Sequence, residues 1–228
     1  MLGNKSDRGC SRAVISNSPV KNKLKQRGLV AVCLPLMAFI YSYARADQLE
    51  PKGFIEDSKL SVLAKNYYFN TDRANGRTNQ KDWSQGFIAN YVSGFTQGTG
   101  GFGVDAFGLW GLKLDAGSGR AGTGNLPVGS DGNPADSYGR AGGAVKMRIS
   151  NTVLKYGQMM PNSPVFAQST SRLMPQTATG INLLSTDIRN LSIDAGHFTS
   201  GTDQVSTNSD GELWATYAHV TTTTVDYA

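Results

Sequence analysis

The chain has 228 residues, of which 39% are hydrophobic, 17% charged and 27 glycine, which excludes disordered and collagen-like polypeptides and leaves room for one or two domains. Its formal net charge of +5 would ordinarily point to an anionic partner, but the charge is unevenly placed. Residues 1–46 hold eight basic side chains and one acid, +7 in all, so the other 182 residues carry −2 of the total, and no nucleic-acid partner is expected.

The basic stretch Lys21 to Arg27 runs into an apolar block from Leu29 to Tyr41, and Ala44-Arg45-Ala46 precedes Asp47. That order is expected of a signal peptide spanning 1–46 and cleaved near Ala46/Asp47, ahead of a mature region 47–228. A membrane anchor is the other reading, but the apolar block has 13 residues where a helical span needs about 20. Both cysteines, Cys10 and Cys33, fall in this leader, so no disulfide framework or thiolate metal site is expected in the mature region. Val32 before Cys33 argues against a lipoprotein signal. The polar stretch ahead of Lys21 fits a start codon placed too far upstream.

From Ser58 onward short alternating segments are broken by Gly, Asn, Asp and Ser, without sustained helical periodicity. Strands are predicted at about 58–70, 83–95, 101–115, 138–150, 153–158, 180–187, 191–199, 212–219 and from 223, about nine in all. The intervening segments alternate in length. Those at 71–82, 116–137, 159–179 and 200–211 are long and polar, and those at 96–100, 151–152, 188–190 and 220–222 are short. This is the pattern of an antiparallel up-and-down transmembrane β-barrel with long loops at one end. An exported soluble or surface β-protein that binds a ligand or partner is the alternative.

Face chemistry favours the barrel. Phe102, Val104, Ala106, Trp110, Leu112 and Leu114 share one parity and Asp105, Lys113 and Asp115 the other, while Val145, Met147 and Ile149 alternate with Lys146 and Arg148. The first set would meet lipid and the second a polar lumen. Tyr67, Tyr68, Phe69, Trp83, Tyr91, Trp110, Trp214 and Tyr217 lie where interfacial aromatic girdles would use them.

The strings FIEDSKLSVLAKNYYFN (54–70), WSQGFIANYVSGFTQGTGGFGVDAFG (83–108), GTGNLPV (122–128), RAGGAVKMRIS (140–150), SRLMPQTATG (171–180), AGHFTSG (195–201) and GELWATYA (211–218) resemble the OprD family of substrate-specific outer-membrane porins. The resemblance implies an 18-stranded barrel in the outer membrane of a Gram-negative bacterium. Its third external loop, here about 159–179, would fold inward and work with a ladder of basic lumen residues to pass small carboxylates such as amino acids and aromatic or other organic acids. About nine of the 18 strands are present, so the chain is read as the N-terminal half, a fragment or truncated product. An open sheet would leave two unpaired edges in lipid.

Lys146 and Arg148 stand two apart on the non-lipid face, about 7 Å from each other at ~3.3 Å per residue, a spacing suited to stepwise carriage of a carboxylate. They could instead form a polar face neutralised by Asp105 or Asp115. Arg172 lies in the segment that matches the inward loop, and its guanidinium can hold a carboxylate bidentately. It is the first candidate for a pore eyelet, with Ser171 as a neighbouring hydroxyl donor. A pin to Asp105 or Asp194 on the wall is the alternative role. Lys65, Lys113, Lys155 and Asp105 are further lumen candidates by parity alone.

His197 and His219 are the only histidines, and no HExxH, P-loop or GxSxG pattern occurs. No enzymatic activity, metal or cofactor is expected. The expected partners are small carboxylate solutes, outer-membrane lipids and the barrel-assembly machinery, with the barrel a monomer or weak trimer.

Overall fold

The computed structural model describes residues 52–73, 78–116, 121–215 and 219–228, so the leader expected at 1–46 lies outside the described residues. Among the described residues alternating side chains yield strands and no helix. Seven long strands follow in order: β1 (Lys59–Thr71), β2 (Gln80–Val92), β3 (Gly100–Ala116), β4 (Ser137–Ile149), β5 (Thr152–Met159), β6 (Thr177–Ser185) and β7 (Ile193–Thr202). Each pairs antiparallel with the next. Two short strands, β8 (Leu213–Ala215) and β9 (Val220–Thr222), pair with each other, and β10 (Val225–Tyr227) adds to β7. The main sheet runs β1-β2-β3-β4-β5-β6-β7-β10 and is an open, all-antiparallel wall.

Of the segment expected as a strand over 212–219, Leu213–Ala215 forms β8, which pairs with β9 instead of joining the wall, while 216–218 lie outside the described residues; 220–222, expected as a tight turn, is β9. The wall resumes only at Val225, where the Val225↔Phe198 pairing lets β10 lie on β7. The tight turns behave as their sequences demand. Ile149 pairs with Thr152 around Ser150, which sits in the left-handed region at φ 52°. Asp187 from the next turn accepts hydrogen bonds from Thr152 Oγ1 (2.5 Å) and Asn151 N (2.9 Å). The Thr152, Ser150 and Asn151 donors hold its carboxyl below the usual carboxylate range.

Period-two alternation gives the wall two unlike faces. Outward rows follow the register: Val62↔Ala89, Ala64↔Phe87, and further along Val104↔Val145, Val145↔Tyr156 and Tyr156↔Ile181. Most of these side chains are exposed, Tyr156 by 61% and Val145 by 58%, with Phe87 and Ala89 half-buried. Tyr68 pairs with Trp83 on this face, whereas Tyr67 and Phe69 face inward. Asp115, expected in the lumen, stands with the outward row. A β-bulge at Trp83/Ser84 sets Asp115 opposite Trp83 and Lys113 opposite Ser84, so parity slips by one. Lys81 then pairs with Asp115 at 3.1 Å.

The inner face is covered by the chain's own loops. One core joins Ile88, Phe107, Leu109 and Tyr138 of the wall to Leu126 of the 121–136 segment and Leu173 and Met174 of the 160–176 segment. Burying each large apolar side chain contributes about 1.5–3 kcal/mol. A second core holds Ala178, Phe198 and Leu213, with Phe166 and Tyr227 packed against it. Phe198 lies 5.0 Å from Phe166 and stacks on Tyr227 at 6.3 Å between centroids.

Candidate functional site

β6 begins at Thr177, so the connection after β5 is 160–176, somewhat shorter than the 159–179 expected. This segment lies on the inner face, held along its length. Lys65 Nζ donates to Thr170 O at 2.9 Å and to Arg172 O, and Tyr67 OH donates to Ser171 O at 3.0 Å. Leu173 N donates to Asn125 Oδ1 at 3.1 Å. At the far end Arg140 donates to Pro175 O and reaches Ser206 O at 2.6 Å and Asp203 O. Ser171 is exposed, and its Oγ lies 3.1 Å from Ser169 Oγ.

The inner-face cations fall into two groups. Lys65 and Arg140 are consumed by loop carbonyls, as given above. Lys113 donates to Pro134 O at 3.2 Å and is paired with Asp136. Lys146 lies opposite Lys155 in the β4–β5 register, and Asp105 sits between them, accepting from each at 2.6 Å. Lys146 also donates to Ser93 O at 2.8 Å, and its side chain is only 3% exposed. Two like charges on directly opposed positions would repel; the shared carboxylate turns them into a bound triad.

Arg148 and Arg172 form the second group. The Arg148 guanidinium lies 4.8 Å from the Phe95 ring centroid and that of Arg172 lies 5.2 Å from Phe69. Neither has a carboxylate in ion-pair range among the described residues. Asp105 is taken by the lysines, and Asp194 accepts from Asn182 at 2.7 Å, so neither pins Arg172. Stacking on a ring orients a guanidinium while leaving its N–H fork available. Arg172 also lies against the backbone at Gly124, where a Cβ would stand 3.1 Å from its Nε and φ is +81°. Only glycine meets both demands without strain.

Sequence reasoning missed Arg140, although it shares the parity of Lys146 and Arg148. It also missed Asp82 and Asn125, both buried. Thr123 Oγ1, Asn125 Nδ2 and Ser84 Oγ donate to the Asp82 carboxylate. No spacing rule would have paired Asp82 with Asn125, because loop docking brings them together.

A wall with a lipid-compatible outer face, short turns at one end and a cation-bearing loop laid on its inner face has the local architecture of a porin. The family model described as outer membrane porin, OprD family, matches residues 52–228. The chain belongs to the OprD family. Porin D of Pseudomonas aeruginosa is 58% identical over 182 residues, 80% of this chain and 41% of the relative. The porin-like protein GalP of Pseudomonas putida is 40% identical over 172 residues, 73% of this chain and 42% of the relative. Among solved structures, OpdK of Pseudomonas aeruginosa with vanillate superposes with a TM-score of 0.63 at 42% identity, covering 68% of this chain and 40% of that one. The chain thus spans about two-fifths of the length of its OprD-family relatives. These relatives are outer-membrane channels of Gram-negative bacteria, and porins are not enzymes.

Proposed function

We propose that this chain forms the N-terminal part of an outer-membrane channel for passive, selective diffusion of small carboxylate-containing solutes. The observation that carries the reading is the division of the inner-face cations: Arg148 and Arg172 keep their guanidinium groups out of carboxylate pairs and oriented on aromatic rings, while the lysines around them are tied down. Two weak cationic steps attract a carboxylate without trapping it, which is what selective flux requires. The 160–176 segment is the constriction, with Arg172 and the Ser171 hydroxyl at the eyelet. OpdK, similar to this chain, was solved with vanillate, itself a carboxylate. The channel uses no cofactor, works as a monomer or weak trimer, and is inserted by the barrel-assembly machinery after export and removal of residues 1–46.

The test is conductance in planar bilayers with protein expressed from its complete gene. Arg172→Gln is expected to weaken block of the current by benzoate or vanillate by about tenfold, the scale of one charged hydrogen-bonded contact, and Arg148→Gln by less. Unchanged block in Arg172→Gln overturns the eyelet assignment.

A further inference from the structure

Buried within the wall is a carboxylate that the channel reading does not use. Asp82 is 1% exposed, and its hydrogen-bond donors are all neutral: Thr123 Oγ1, Ser84 Oγ at 3.2 Å and Asn125 Nδ2 at 3.2 Å from both oxygens. A buried carboxyl group without a cation is costly unless its oxygens are well supplied with hydrogen-bond donors, as these are. Its position shows what that arrangement accomplishes. Asn125 is fully buried, and its amide can present either oxygen or nitrogen to Asp82. A carboxylate accepts only, so it compels the Nδ2 edge to face the wall and the Oδ1 edge to face the loop, where it accepts Leu173 N at 3.1 Å. Leu173 follows Arg172 directly. The residue opposite Asp82 across the β1–β2 register is Phe69, the ring on which the Arg172 guanidinium rests.

We propose that Asp82 is a positioning residue for the eyelet: acting through Asn125, it fixes the backbone at Leu173 and so sets the Arg172 guanidinium over Phe69. Asn125 is further held by Tyr138 OH, which donates to its carbonyl at 2.8 Å, so the amide, not the loop backbone, is the part free to turn. This inference rests on the reading of Arg172 as the carboxylate contact, and the experiment separates the two.

Asn125→Asp puts a second carboxylate against Asp82, and like charges at that distance cannot both stay ionised and in place. Combining it with Asp82→Asn restores one acid and one amide: the new amide donates to the new acid, whose other oxygen still accepts Leu173 N. In the channel made from its complete gene, Asn125→Asp is expected to weaken benzoate block about tenfold and raise open-channel current noise. The exchanged pair returns both to within about twofold of the parent. An Asn125→Asp channel that folds and behaves as the parent, or an exchanged pair that folds without recovering, overturns the proposal.

If Asn125→Asp gives no folded channel, Asp82→Ser takes its place, measured with and without Arg172→Gln. The loss of block must vanish once Arg172 is Gln, and an equal loss in both backgrounds overturns the positioning role. Unchanged block in Arg172→Gln alone overturns the carboxylate reading instead. Current noise then still reports whether Asp82 steadies the loop, and noise at the parent level in Asp82→Ser overturns the inference by itself.

Discussion

Asp105 decides how many positive charges the inner face presents beside Arg148. With Lys146 and Lys155 both bonded to it at 2.6 Å, the group carries one net positive charge instead of two, and both ammonium groups are held to the wall. Asp105→Asn is expected to release them and shift the zero-current potential in a salt gradient towards anion preference. Removing Asp105 leaves the buried Lys146 ammonium without its counter-charge, and the double variant with Lys146→Met removes both charges and keeps the net charge of the parent. Selectivity that is unchanged in the single variant, or equally shifted in the double, would show that Asp105 does not mask the lysines. Parity alone predicted that Lys146, Lys155 and Asp105 share a face, and they do. It could not tell a ladder from a bound triad, because that depends on which residue of β5 lies opposite Lys146.

At the scale of elements, the 160–176 segment is seated by a socket in the wall. Gly86 of β2 and Gly111 of β3 are cross-strand partners, and a Cβ on either would stand 3.1 Å from the Leu173 side chain. Leu173 itself is fully buried. Two facing glycines leave a notch one side chain deep, and Leu173 fills it. Leu173→Ala is expected to cost about 2–5 kcal/mol of loop docking, seen as faster protease cleavage between Pro161 and Gln176 in a barrel that still migrates as folded. Cleavage at the parent rate would mean that the polar ties of Lys65, Asn125 and Arg140 suffice. The strings around 83–108, 122–128 and 171–180 were legible as marks of the family. Their meaning was not, since Gly86, Asn125 and Leu173 form one assembly only once both loops fold onto the wall. The β8–β9 hairpin escaped for a related reason: its alternation is as strand-like as that of the wall, and alternation does not say which strand is the partner.

For the molecule as a whole, the outward apolar rows fit a wall that faces lipid on one side, as in the barrels of its relatives. Its relatives span more than twice the length matched here. Material taken from outer membranes is expected to begin at Asp47 on N-terminal sequencing, and a sequence starting within 1–46 would remove the export signal from the account. What the sequence by itself determined is whatever depends on local order: an all-β chain, the positions of its seven long strands to within a few residues, the lipid and lumen parity along most of them, and the family. Tertiary structure alone decided which charges remain free. The partners of Lys65 lie 105 and 107 residues away, the bulge at Trp83/Ser84 turns Asp115 outward, and Asp105 reaches Lys146 and Lys155 through two strand registers. Parity is a property of one strand, whereas a counter-charge is a property of how several strands and loops are laid together.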